Sequence, residues 1–96
     1  MARTRFATSV GDPPFRWVYL TLIVDNPAAP DPRQSGFSLV VEELDRNGIV
    51  QPKVDYFEWR WEDILRYPED FVPADAVWRD AETGETVDIY ALPSPL

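Results

Sequence analysis

A chain of 96 residues with neither histidine nor cysteine and a formal charge of −8 excludes more functions than it suggests. There is room for one small core, and there is no disulfide framework, thiolate nucleophile, histidine base or Cys- or His-ligated metal site. Residues 1–48 carry five basic against six acidic side chains and residues 49–96 carry four against eleven, so the acidity belongs to the C-terminal half. Such a surface repels phosphate backbones and suits a basic protein partner.

In chain order, Met1 to Val10 begins with two arginines but lacks the apolar run of a secretory leader. It is expected to form, with residues 11–14, a loosely ordered arm ending in Gly11-Asp12-Pro13-Pro14, a cluster that favours a turn or extended backbone. The next segment, Phe15 to Asp25, is dense in aromatic and β-branched residues and predicts a central strand near 16–25, with Trp17, Tyr19, Thr21 and Ile23 on one face and Val18, Leu20, Leu22 and Val24 on the other, both faces covered. Its apolar run is far shorter than the roughly 20 residues of a membrane helix. A cytoplasmic protein without membrane contact is expected.

Residues 26–36 hold three prolines and a glycine and read as a stiff loop; its Pro27-x-x-Pro30 spacing could also serve as a polyproline ligand. A second strand is predicted at 37–45, with Phe37, Leu39 and Val41 on one face, and the pair Asn47-Gly48 predicts a type I′ hairpin into a third strand at 49–55. Pro52 cannot donate to a ladder and so marks an edge strand or a bulge near Gln51 to Lys53.

Two periods fit Val54 to Tyr67. A helix over 58–67, favoured here, would use Asp55 as N-cap and align Phe57, Trp61, Ile64 and Leu65; a strand would alternate Phe57, Trp59 and Trp61 against Tyr56, Glu58 and Arg60. Pro68 ends the helix, and Phe71 and Val72 are expected to plug the core. Two further strands, 76–80 and 86–92, form a second hairpin around Gly84, and 93–96 reads as a free tail. The pattern as a whole predicts one α+β domain over 1–96, a small antiparallel sheet of about five strands with one short helix packed on one face.

Carboxylates, with tyrosine and Lys53, are the acid-base groups this composition permits, yet Glu62 and Asp63 would point apart on a helix and the acids of the second hairpin are ordinary turn residues. No enzyme activity, cofactor or metal site is expected. The spacing Asp80-x-Glu82-x-Gly84 lacks the remaining ligands of a calcium loop. Trp17, Trp61 and Trp78 read as structural. On the helix reading Trp59 sits about 200° from Phe57, among charged residues, which is where a protein-binding anchor would stand.

The expected site is therefore Trp59 with Glu58, Glu62, Asp63, Glu69 and Asp70 as its rim, and the hairpin acids Asp80, Glu82, Glu85 and Asp88 as a second patch. The expected role is a small acidic, non-enzymatic regulator or inhibitor, monomeric or a small oligomer, acting on a basic protein surface. Two alternatives share these features: an accessory or structural subunit of a larger assembly, such as one of phage type, and a nucleic-acid-mimicking inhibitor of a nucleic-acid-binding enzyme, although Arg60, Arg66 and Arg79 interrupt the charge a mimic needs.

Overall fold

The computed structural model describes residues 2–23 and 35–95. Six strands form one antiparallel sheet: β1 (Ala2–Val10), β2 (Arg16–Ile23), β3 (Gly36–Leu44), β4 (Val50–Glu58), β5 (Trp78–Asp80) and β6 (Thr86–Val87), in the order β4-β3-β2-β1-β5-β6. One four-residue helix, α1 (Trp61–Ile64), and a 3-10 turn, Pro68–Asp70, lie between β4 and β5. The proline-rich segment with Pro27-x-x-Pro30, and the end of the strand expected to reach residue 25, lie outside the described residues.

The register stacks apolar side chains in rows on one face. Phe6 faces Leu20, Leu20 faces Leu39 and Leu39 faces Tyr56; in the next row Thr8, Val18, Val41 and Val54 follow one another across four strands. On this face Val18, Leu39 and Val41 are completely buried, and they are closed over by Trp61, Ile64, Val72 and Ile89. Trp61 supplies the wedge, with its ring centroid 5.9 Å from that of Phe6 and 5.2 Å from that of Phe37. Phe71 and Val72 join the core as expected, and Trp61 and Trp78 are structural.

Four expectations need correction. The N-terminal arm is instead strand β1, inside the sheet between β2 and β5. Its alternation was obscured by alanine and threonine, but Thr8 is buried and donates from Oγ1 to the Val77 carbonyl at 2.7 Å, so a polar side chain fills a core-facing position without an orphaned hydroxyl. Gly11 to Pro14 is the turn that returns the chain to β2, closed by the Phe15 N–H donating to the Val10 carbonyl.

Second, the helix expected over 58–67 is only Trp61–Ile64, because residues up to Glu58 extend as the outer strand beside β3 and satisfy its backbone groups. Asp55 caps nothing; Arg60 occupies the N-cap without a side-chain bond. Pro52 behaves as anticipated on both counts, since β4 is an edge strand and the register shifts where Val41 pairs with Val54 and Glu42 with Pro52.

Third, the Asn47-Gly48 hairpin exists, but it is a three-residue loop rather than a two-residue type I′ turn. Gly48 N–H donates to the Asp45 carbonyl and Asp45 pairs with Ile49 through a backbone bond of 2.8 Å, with Gly48 at φ 77°, the left-handed position of a type I turn with a bulge. Fourth, the last strand is two residues, not seven. At Asp88 the chain turns, with Ala91 N–H donating to the Asp88 carbonyl and Tyr90 N–H to Asp88 Oδ1, and this drops Ile89 into the core at 0% exposure. The expected free tail is described to Pro95, which is half-buried, and the preceding Leu92 carbonyl accepts from the Trp61 indole at 3.4 Å.

Candidate functional site

The opposite face of the sheet carries Trp17, Tyr19, Thr21, Ile23, Val40 and Phe57, all half-buried; α1 packs on the other side through Trp61. The expectation that both faces of β2 are covered therefore holds fully for one. Phe57 lies across Gly36, where an added Cβ would come to 2.3 Å of the ring, so a larger residue there would have to push the ring aside. Trp59 packs edge-on against Phe57, with centroids 4.7 Å apart and planes at 87°, and keeps 40% exposure.

The acids expected to surround Trp59 are not equivalent. Glu58 alternates to the core face of β4, where its Oε1 accepts from the Tyr67 hydroxyl at 2.6 Å; this bond is the main reason the Tyr67 pKa lies above the ordinary value. Glu62 pairs with Arg60 and Asp63 with Arg66. Glu62 is held below the usual glutamate range first by its own backbone N–H and then by Arg60. Glu62 and Asp63 thus meet their negative charge within the turn, and Glu58 is held by a neutral donor.

The second patch also divides. Asp80 Oδ1 accepts from the N–H groups of Glu82 and Thr83, and Arg5 lies 2.6 Å from Glu82 and 3.7 Å from Asp80, with Arg3 completing the network at Glu82. This is why the Asp80-x-Glu82-x-Gly84 spacing belongs to a hairpin turn. Among the described residues Glu69, Asp70, Glu85 and Asp88 have no cationic partner.

Two of these four, Glu69 and Asp88, come from different patches and meet at a groove of about 450 Å³ between the segment following the 3-10 turn and the β5–β6 hairpin. That volume falls within the roughly 300–1,000 Å³ of ligand-sized sites. Buried Val72 and Trp78 form its floor, and Val77 and Tyr90, 54% and 55% exposed, stand at its sides. The Tyr90 hydroxyl titrates above its ordinary value because of partial burial and then because Glu69 and Asp88 place negative charge near it.

Sequence reasoning named Glu69 and Asp88 but assigned them to separate surfaces, and it missed Val77 and Tyr90. An unexplained apolar pair flanking the core residues Trp78 and Ile89 was the signal available. Among the described residues no three acidic side chains converge as a metal-ligand set, and no helix is long and apolar enough to cross a membrane. The chain matches no protein-family model, no curated protein and no solved structure.

Proposed function

We propose that this protein is a small acidic, non-enzymatic binding domain that regulates or inhibits a partner through a basic protein surface. The observation that supports this most directly is the contrast in charge pairing. Among the described residues Arg3, Arg5, Arg16, Arg60 and Arg66 pair with Glu43, Glu62, Asp63, Asp80 and Glu82, and two of the acids left without a cation, Glu69 and Asp88, line an apolar groove at one end of the sheet. Unpaired carboxylates beside exposed apolar side chains match the anatomy of an interface, in which the apolar part holds the partner and the charged rim steers it.

The test is to retain the partner on the immobilised protein from the native host, identify it by mass spectrometry, and measure the purified pair at several salt concentrations. Affinity should fall as salt rises from about 50 to 300 mM, mostly through the on-rate. Reversing Glu69 and Asp88 to lysine together should weaken it further. A partner whose binding ignores both salt and the charge reversal would overturn the reading.

A further inference from the structure

Resting on that reading, we propose that the groove between the Glu69–Val77 segment and the β5–β6 hairpin receives a single arginine side chain of the partner protein, its aliphatic stem against Val77 and Tyr90 and its guanidinium between the carboxylates of Glu69 and Asp88. The groove itself is the primary feature. Its floor is apolar and preformed, since Val72 and Trp78 are 8% and 4% exposed, and its sides carry two of the most exposed large apolar side chains among the described residues. An apolar floor of this kind suits a hydrocarbon stem, and the charge at the end of the stem decides whether it is held.

Charge complementarity selects the occupant. Glu69 and Asp88 come from different segments that line the groove, and no described cation neutralises either. The cation on the hairpin, Arg79, donates instead to the Gly84 carbonyl at 3.2 Å and to Oγ1 of Thr86, itself a lining residue of the groove, at 3.4 Å, and it forms no ion pair with either acid. Two carboxylates from separate segments match a flat guanidinium with donors on several edges better than a compact ammonium. The guanidinium is also the more weakly hydrated cation and stacks on aromatic rings, and Tyr90 offers one at the side of the groove. A long side chain with an apolar stem and a charged head is the kind of group that spans such a floor and mouth.

The experiment uses the full chain and three capped tripeptides, Gly-Arg-Gly, Gly-Lys-Gly and the citrulline counterpart of the first, titrated against backbone amide and Trp indole NMR signals. The arginine peptide should give saturable shifts confined to residues 69–78 and 86–90, including the Trp78 indole. The lysine peptide should bind more weakly and the citrulline peptide, which has the shape without the charge, should not saturate. Glu69→Gln and Asp88→Asn, both of which keep size and the second of which preserves the side-chain oxygen that accepts the Tyr90 N–H, should each raise Kd about tenfold. Asp55→Asn, on the edge strand β4 at the far end of the strand order, should leave it unchanged.

Equal binding by lysine or citrulline, or saturable shifts located elsewhere, would overturn the arginine groove. Shifts mapping to Asp70, Asp75 or Glu85 alone would do so while leaving the basic-partner reading intact, whereas a salt-indifferent partner would remove that reading whatever the peptides do.

Discussion

The turn over residues 58–66 and the groove over 69–90 are both acidic in sequence, yet they end in opposite electrostatic states. In the turn, Arg60 and Arg66 sit two and three residues from Glu62 and Asp63, so those two charges are met within the segment that carries them, while Glu58 accepts a hydrogen bond from the neighbouring Tyr67. At the groove, the acids reach their position from segments 19 residues apart in sequence, Glu69 and Asp88, and the arginine between them, Arg79, donates to Gly84 and Thr86 rather than to either acid. A count of acids along the chain treats the two alike. What separates them is whether a counter-charge lies within reach in space.

The largest test of this contrast is structural. Trp61→Ala removes the ring that packs on Phe6 and Phe37 and anchors the turn, and it should cost about 3–5 kcal/mol by urea denaturation, as large core truncations do. Asp88→Asn, at the groove, should leave the urea midpoint near that of wild type, because the residue is exposed and keeps its acceptor for Tyr90 N–H. A comparable loss in both variants would mean that the groove acids are structural and the contrast is false.

A smaller effect is expected from Tyr67→Phe, which frees Glu58. Melting temperature should drop modestly, and the absorbance titration should lose one phenol ionising above the ordinary tyrosine pKa of 10.0. The sign follows from the raised folded-state pKa: the bond's stabilisation is complete below the unfolded tyrosine pKa and disappears as pH rises through the folded one. Loss of a phenol at or below the ordinary value would show that the bond does not form.

The smallest change in stability belongs to Arg60→Ala. Exposed pairs of this kind contribute little, so the midpoint should hold, while Glu62 becomes available to a basic probe and its carboxyl pKa moves only part of the way back up. The larger cause of that depression, its own backbone N–H, is untouched. Because the folded pKa is below the unfolded one, Glu62 favours the fold above the ordinary glutamate range and loses that contribution as pH falls through its folded pKa. A full return to the ordinary value would assign the effect to Arg60 alone.

Some of this protein was written locally in its residues. The apolar alternation of 37–41, the aromatic and β-branched run at 16–23, the edge position of Pro52 and the hairpin at Gly48 each depend on neighbours within one strand or turn, and the structure has all four. Residues 54–58 satisfied two periods equally well, and the open backbone edge of β3 settled them as strand. The polar-looking start became β1 by pairing along its length with β2 and with the remote β5, while Thr8 met the Val77 carbonyl 69 residues away; the last strand stops at Val87, where the chain turns and Ile89 enters the core. The groove belongs with these: burial and pairing are properties of distances between remote segments, and hydrophobic packing, which is non-directional, placed Glu69 beside Asp88 with no signal in the residues around either.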